Sequence, residues 1–519
     1  MTNGMTRSGL VRLLATLVLG VMIAGGWGAS AAQARWLRAE TPHFVLYSDG
    51  PEANLRRFAA DLEDFDTLLR SAHGLDPAGR PARKLDIYLA AGHDDLARVM
   101  PDASEFMAGA YRANLGDIYA VAIRGERGSG DGQRFLFHEY VHHFMLQNFH
   151  AAYPAWLMEG YAEYFGATRI EPTVIEVGVS QEGRARNLAT RPWLPLRQIA
   201  GFAPPTVTGQ EGKEARAMFY AESWLLTHYM VSDPVRKARL GDYLTAIVRG
   251  ADPATALETA LGMDLVAAEK MLKTYLRQTP GVRYTRTERP PIDLVLTTLP
   301  PSADALLLEA QRLKSGVPKA EQPAFLQLIR DRSARFPDDR LAQLTLARAE
   351  ITFGDRTAGE ALLTRRIEAD ARDVDALWLM ALSRLFAGNA DRSLRAELYA
   401  EAGPWLGKAF AIDANRYQIL FDFAQSRSLT PGYPSDNTLT VLLRAHELAP
   451  QVAPVTLGAA RALMKRGRFD EAVAVLLPLA NSPHGGGLAA EATRLIALAE
   501  KGQAGAVSDA AAADDPDDR

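Results

Sequence analysis

Residues 135–165 read FLFHEYVHHFMLQNFHAAYPAWLMEGYAEYF, and the rest of the chain is organised around them. Residues 138–142 form an HExxH motif. On an α-helix, residues four apart lie on one face, so the imidazoles of His138 and His142 can reach the same ion. Zinc suits this pair, because it accepts nitrogen and oxygen ligands and leaves a position for water. Glu139 projects about 100° around the helix from His138, where it can accept a proton from water on the metal.

A second helical run follows a break at residues 151–154 and reads WLMEGYAEY at residues 156–164. Here the chain resembles the gluzincins, HExxH zinc peptidases whose third ligand is a Glu on the following helix. The WLxEGxAEY wording is similar to that of bacterial peptidase-MA-like domains and gluzincin aminopeptidases. The resemblance implies that Glu159 is the third Zn²⁺ ligand. It also implies that Glu163, one turn later, orients a zinc-bound imidazole.

A structural helix with two surface histidines would also explain the HExxH motif. That interpretation does not predict a second helix with a correctly spaced Glu. The sequence argues against a metzincin site, because Met145 and Asn148 occupy the positions where that pattern needs Gly and His. His143 follows a predicted ligand and faces another way, so we expect it to be a packing or surface residue.

A tyrosine beyond the motif is a candidate for stabilising the oxyanion of the reaction. In gluzincin aminopeptidases, a tyrosine some sixty residues past the zinc Glu has this role. Tyr220 lies 61 residues past Glu159 (220 − 159) and resembles it. A phenol is a suitable neutral donor for a developing negative charge. The alternative is a half-buried helical tyrosine that packs against Trp224. Both interpretations stay open at this point.

The composition and the N-terminus indicate an exported globular protein. The length of 519 residues suggests two to four domains. The net charge of −4, without a basic stripe, argues against nucleic-acid binding. Residues 1–34 read as a signal peptide, with Arg7, Arg12, an apolar run at 13–24 and an A-x-A site at 32–34. We therefore expect a periplasmic or secreted protein with no stable membrane span. An uncleaved N-terminal anchor is the alternative.

Residues 35–278 read as an α+β zincin-like domain that contains the motif. The predicted elements before the motif are strands at 43–47, 84–90, 107–112 and 118–123 and a helix at 51–72. Gluzincins place an edge strand beside the zinc, and 118–123 is our candidate for it by position. An internal strand without substrate contact is an equal alternative.

The C-terminal half is predicted to be all-α. Residues 279–301 contain five prolines and read as an extended linker. Residues 302–500 then resemble tetratricopeptide (TPR) repeats, because small and turn residues recur 34 apart. The matched residues of the first unit are Asp339, Ala342, Ala347, Gly354 and Asp355, and those of the second are Asp373, Ala376, Ala381, Gly388 and Asn389. A generic helical bundle is the alternative. The acidic tail at 501–519 is predicted to be disordered.

These patterns predict a zinc-dependent metallopeptidase of the bacterial envelope. His138, His142 and Glu159 would bind the ion, Glu139 would act as the general base, and Tyr220 would stabilise the oxyanion. The substrate would be a peptide or protein, and the TPR-like repeats would recruit it or a protein partner. One alternative is a non-catalytic TPR scaffold with an inactive zincin domain. Another is a zinc hydrolase of a non-peptide bond.

Overall fold

The computed structural model describes residues 36–105, 107–125, 131–149, 151, 153–201, 209–482 and 485–503. The predicted signal peptide lies outside these residues, as do positions 504–519 of the predicted tail. Among the described helices, none combines the length and the apolar character that a membrane span requires.

The N-terminal half is built on a six-stranded mixed sheet. Its strands, numbered in chain order, are β1 (Leu37–Glu40), β2 (Phe44–Ser48), β3 (Leu85–Ala90), β4 (Gly109–Ala113), β5 (Ile118–Ile123) and β9 (Val295–Thr298). The strand order is β4-β5-β3-β2-β1-β9. Strands β2, β3 and β5 run parallel, and β4, β1 and β9 are joined by antiparallel pairings. Strands β3 and β5 are buried along most of their length, because helices cover both faces of the sheet.

Four helices cover the faces of this sheet. They are α1 (Glu52–Ala72), α2 (His93–Val99), α3 (Asp131–Asn148) and α11 (Ser302–Ser315). The α1 and α3 side chains share one core with Phe44, Leu46 and Ala120. On the opposite face, α2 and α11 pack against Tyr88 and Val121. The helix with the HExxH motif, α3, therefore lies directly on the sheet.

Helices and a small sheet complete the region between the motif and residue 301. The helices are α4 (Ala155–Gly166), α5 (Glu182–Thr190), α6 (Leu196–Ile199), α7 (Gly209–Val231), α8 (Pro234–Val248), α9 (Pro253–Leu261) and α10 (Leu265–Tyr275). Strands β6 (Arg169–Ile170), β7 (Val174–Val177) and β8 (Val282–Thr285) form an antiparallel sheet. The aspartates Asp233, Asp252 and Asp264 cap α8, α9 and α10 with side-chain hydrogen bonds.

Two features differ from the sequence-based expectations. The segment 279–301, which we expected to be a linker, contributes β8 and β9, and each strand is hydrogen-bonded to an earlier part of the chain. Its prolines lie outside these two strands. The predicted edge strand at 118–123 is instead internal, because β4 pairs with its outer side. The sheet edge on this side is therefore β4, and α3 packs against both β4 and β5.

The C-terminal half is helical, as predicted. Its helices are α11, α12 (Gln322–Ser333), α13 (Arg340–Phe353), α14 (Arg356–Ala369), α15 (Val374–Ala390), α16 (Arg395–Ile412), α17 (Tyr417–Ser426), α18 (Asp436–Leu448), α19 (Ala453–Lys465), α20 (Phe469–Ala480) and α21 (Gly486–Ala499). Successive helices pack in pairs, and α11, α13, α15 and α17 also contact one another in that order. We call these eleven helices the helical array.

The 34-residue recurrence has a physical explanation at the helix starts. Asp339 caps α13 by accepting a hydrogen bond from the Ala342 amide, at 3.0 Å. Asp373 caps α15 in the same way, with the Ala376 amide at 3.3 Å. The recurring Asp and Ala are thus an N-cap and the residue whose amide it binds. The TPR assignment itself stays a resemblance of sequence.

Candidate metal centre

The orientation of helix α3 about its own axis is fixed by the packing of its apolar and aromatic side chains. The ring of Phe137 stacks on Phe65 of α1, with a centroid distance of 4.1 Å. On the same helix, the Tyr140 hydroxyl donates to Asp66 at 2.7 Å. Phe137, Val141 and Phe144 are all buried against the sheet and α1. With these faces fixed, His138 and His142 point toward α4.

The structure brings His138, His142 and Glu159 together. The two histidine Nε2 atoms lie 3.2 Å apart. Glu159 Oε2 lies 3.5 Å from Nε2 of His138 and 3.6 Å from Nε2 of His142. The three atoms therefore form a nearly equilateral triangle. Two of them belong to one helix, α3, and the third belongs to the next helix, α4.

The dimensions of this triangle fit a tetrahedral zinc ion. Zinc bonds of 2.0–2.2 Å to nitrogen and oxygen separate neighbouring ligand atoms by about 3.3–3.6 Å in a tetrahedron. The donor set of two imidazoles and one carboxylate is also one that zinc accepts in hydrolytic sites. Three protein ligands leave the fourth position for water or substrate. The residues present therefore fit the ion that the sequence predicts.

The electrostatics of the centre favour a cation. Burial lowers the pKa of His138, but the carboxylates of Glu159, Glu163 and Glu139 raise it to about 9. Glu159 is fully buried, and Glu163 is 4% exposed. A buried site that contains several carboxylates attracts positive charge, which a proton or a metal ion can supply.

Glu163 lies behind His138 and is held by two side chains on and just before the next helix. Its Oε1 lies 3.6 Å from Nδ1 of His138. Arg184 donates to both carboxylate oxygens, with Nε to Oε2 at 3.0 Å and Nη2 to Oε1 at 2.6 Å. Gln181 adds a bond to Oε2 at 3.0 Å. Burial alone would raise the pKa of Glu163, but Arg184 holds it below its usual range.

The other two predicted catalytic residues lie beside this centre. Tyr220, on α7, has its ring 6.4 Å from the His138 ring, centroid to centroid. The guanidinium of Arg184 lies 5.1 Å from the same tyrosine ring. Glu139 is half-buried, and its charge contributes to the raised pKa values of both His138 and Tyr220. All six predicted site residues are thus in one neighbourhood.

Two glycines allow the helices around the centre to approach closely. A Cβ at Gly160 would overlap the Ser223 carbonyl and the Thr227 hydroxyl, so α4 can lie on α7 only without a side chain there. At Gly166, a Cβ would lie 3.2 Å from the His138 backbone. Gly160 of the WLxEG motif therefore has a packing role, because it lets the helices that carry Glu159 and Tyr220 pack closely together.

Sequence reasoning missed Arg184 and Gln181. They lie 25 and 22 residues past Glu159, on and just before a short polar helix, where no motif marks them. It also assigned no partner to His143, which lies 2.9 Å from the Tyr111 hydroxyl through Nδ1. Strand pairing places Tyr111 there, and local sequence does not predict that pairing.

No protein-family model matches the chain, and no curated protein matches it. Among solved structures, it is similar to a thermophilic TPR protein from Thermus thermophilus. The identity is 18%, and the alignment covers 38% of this chain and 100% of that chain. The TM-score is 0.32, which is too low to carry an argument about fold or function.

Proposed function

We propose that this chain is a zinc-dependent hydrolase that cleaves peptide bonds. The observation that carries the proposal is the triangle of His138 Nε2, His142 Nε2 and Glu159 Oε2, whose edges measure 3.2, 3.5 and 3.6 Å. These three side chains would hold the ion. Zinc in this position supplies Lewis acidity toward a carbonyl oxygen and lowers the pKa of a water molecule.

The surrounding residues have distinct tasks in this proposal. Glu139 accepts the proton of the attacking water and delivers it to the leaving nitrogen. Glu163 holds the His138 ring in one orientation, and Arg184 keeps Glu163 ionised. Tyr220 keeps its proton and donates a hydrogen bond from its hydroxyl to the developing oxyanion. The intact Glu139 favours an enzyme over a purely structural site, because a structural site does not need a general base.

Two parts of the proposal rest on sequence alone. The proposed export to the periplasm or beyond is supported by the signal-peptide pattern of residues 1–34. Recruitment of a peptide or protein partner by the helical array is supported by the 34-residue recurrence.

The alternative reaction is hydrolysis of a non-peptide ester or amide, which would use the same three ligands.

The test combines metal content with hydrolysis of a mixed peptide library. We expect one zinc per chain in the wild type and in Glu139→Gln, and none in Glu159→Ala. Glu139→Gln should lose about 10²–10⁴-fold in turnover, because general-base catalysis contributes that much. The exposed Glu211→Gln is the matched control on α7.

Three outcomes would contradict the proposal. Wild-type protein without zinc after equilibration with the metal would remove the metal centre. Zinc binding without hydrolysis would favour the scaffold role. Turnover of esters or amides without peptide cleavage would redirect the reaction to a non-peptide bond.

A further inference from the structure

The inner face of the helical array, formed by α13, α15 and α17, contacts the sheet on which the metal-binding helix α3 lies. The contact is made by the turn between β4 and β5, residues 114–117. The first helices of successive pairs surround this turn. The lining residues of the small cavity beside Leu115 and Gly116 are Arg348 of α13, Trp378, Leu382 and Phe386 of α15, and Gln418, Phe421 and Asp422 of α17.

Hydrogen bonds fix the turn in this position. The hydroxyl of Tyr417, a fully buried residue, donates to the Asn114 carbonyl at 2.6 Å. The Gln418 side chain donates to the Gly116 carbonyl at 3.3 Å. A Cβ at Gly116 would overlap the carbonyl oxygen of Lys314, so this close approach requires glycine. Leu115 is only 6% exposed.

A buried charge strengthens the same contact. The carboxylate of Asp117 accepts from Lys314 of α11 at 2.9 Å and is also paired with Arg83. Burial would raise the pKa of Asp117, but Lys314 and Arg83 hold it below its usual range. The Gln311 side chain of α11 also donates to Asp117, with its Nε2 at 3.4 Å from Oδ2. Separation of the array from the turn would leave the buried Asp117 carboxylate without Lys314, which is costly.

A second contact reaches the metal helix directly. Gln451, in the turn between α18 and α19, accepts from the Gln147 side chain of α3 at 2.8 Å. Its own amide nitrogen lies 3.5 Å from Nδ1 of His143. The Gln147 amide also donates to the Leu448 carbonyl at 3.3 Å. The C-terminal half of α3 is thus tied to the turn that contains Gln451.

Gln451, His143 and Tyr111 lie beside the face of α3 that carries Glu139. His143 lies four residues after Glu139, hence one turn further on the same face. The hydroxyl of Tyr111, on the edge strand β4, lies 2.9 Å from Nδ1 of His143. Burial raises the pKa of Tyr111, and the nearby charge of Glu139 raises it further. Gln451, Tyr111 and His143 therefore connect the helical array, the sheet edge and the general-base face.

We propose that the helical array is an internal clamp on the metal centre, in which Gln451 is a positioning residue for α3. The partner of its inner face is this chain's own turn at residues 114–117. A second protein would have to bind elsewhere or displace that turn. The effect on zinc binding and turnover rests on the proposed function, whereas the effect on the order of α3 does not.

The test compares Gln451→Ala with Gln327→Ala in the full chain. Gln327 is an exposed glutamine of α12 whose side chain bonds Asp331 of the same helix. We expect Gln451→Ala to weaken zinc affinity about tenfold, the lower end for residues that orient ligands. Turnover should fall with KM unchanged. Backbone amides at residues 144–148 should exchange hydrogen at least tenfold faster. Gln327→Ala should match the wild type in all three.

Two further variants separate positioning from general destabilisation. Gln451→Glu keeps the oxygen that accepts from Gln147 and should recover most of the zinc affinity. Tyr417→Phe removes only the bond to Asn114 and should speed exchange in β4. The clamp is overturned if hydrogen exchange at residues 144–148 is the same in Gln451→Ala as in Gln327→Ala. The effect of Gln451 on the metal site is overturned if the two variants bind zinc with equal affinity. Because exchange needs neither zinc nor hydrolysis, it decides the clamp even if the wild type binds no metal.

Discussion

Arg184 donates to both oxygens of the Glu163 carboxylate, at 3.0 and 2.6 Å, while its guanidinium lies over the ring of Tyr220. One side chain thereby links the residue behind His138 to the candidate oxyanion donor. The planar guanidinium is well suited to this geometry, because it can bind a carboxylate through two parallel bonds and stack on an aromatic face.

Removal of the Arg184 side chain should weaken zinc binding, although Arg184 is not one of the proposed zinc ligands. In Arg184→Ala, Glu163 loses both charged bonds and no longer orients His138. We expect a 10–100-fold loss of zinc affinity, measured by competition with a chelator. The zinc affinity of Arg184→Lys should lie between those of the wild type and Arg184→Ala, because lysine keeps the positive charge but cannot form the paired bonds. Arg186→Ala, an exposed arginine of the same helix, is the control. Equal affinities in all four proteins would contradict the role of Arg184.

Tyr220→Phe should separate the oxyanion role from simple packing. Burial and the nearby charge of Glu159 raise the pKa of Tyr220, so the phenol stays protonated at neutral pH. Loss of one oxyanion donor costs about 10²–10³-fold in turnover, and we expect zinc content and KM to stay at wild-type values. Tyr229→Phe, on the same helix, is the control. Unchanged turnover in Tyr220→Phe would leave the residue a packing role only.

Gly160→Ala should destabilise the fold, against the usual trend for helical glycines. The added methyl would overlap the Ser223 carbonyl and the Thr227 hydroxyl of α7. We expect a loss of about 1–3 kcal/mol in the free energy of unfolding, as for overpacked cores. Gly241→Ala, in α8 with open space around it, should gain about 0.5–1 kcal/mol. Denaturant unfolding measures both changes. An unfolding free energy of Gly160→Ala equal to or above that of the wild type would contradict the packing role of Gly160.

Glu222 should make stability fall as the pH rises. Its carboxyl is 1% exposed and accepts from the Leu194 amide, and burial raises its pKa from 4.5 to about 8. Between these values the folded state keeps a proton that the unfolded state releases. Stability is therefore highest below pH 4.5 for this group and declines up to about pH 8, by at most about 1.4 kcal/mol per pH unit.

Glu222→Gln should remove this decline. The amide keeps a carbonyl oxygen for the Leu194 amide and does not titrate. Unfolding free energies measured from about pH 5 to 9 should depend less on pH in the variant, and the variant should be the more stable protein at about pH 8. Parallel curves for the two proteins would mean that Glu222 is ionised in the folded state.

The local part of the site was predictable from sequence. His138 and His142 are one turn apart on one helix, so their proximity follows from helix geometry. Glu159 was implied by the resemblance to gluzincins, and it lies beside them because the helix after the short break packs against α3. These relationships depend on a span of about twenty residues, and they hold in the structure. The four strands and the helix predicted before the motif are present within about two residues of their predicted ends, since each shows its own periodicity, whereas β1 and α2 were not predicted.

The non-local part was not predictable. Nothing in the composition of residues 279–301 shows that Val295–Thr298 pairs with Leu37–Glu40, because strand pairing depends on residues that are more than 250 positions away. The same holds for the internal position of β5 and for Tyr111 beside His143. Arg184 carries no spacing signal, since its bond to Glu163 depends on how α5 folds back. The contact of the turn at 114–117 with the helical array depends on the whole C-terminal half.

The pairing of β9 with β1 has a consequence for how this protein can be made and divided. Synthesis must pass residue 298 before the first strand of the sheet gains its second neighbour, so the sheet is completed late. A fragment that stops at residue 278 would leave the backbone groups of β1 and β7 open along one side each. Such open strands pair readily with other chains. The excised N-terminal half should therefore aggregate, whereas a fragment that continues through α11 would keep β8 and β9 paired in their sheets.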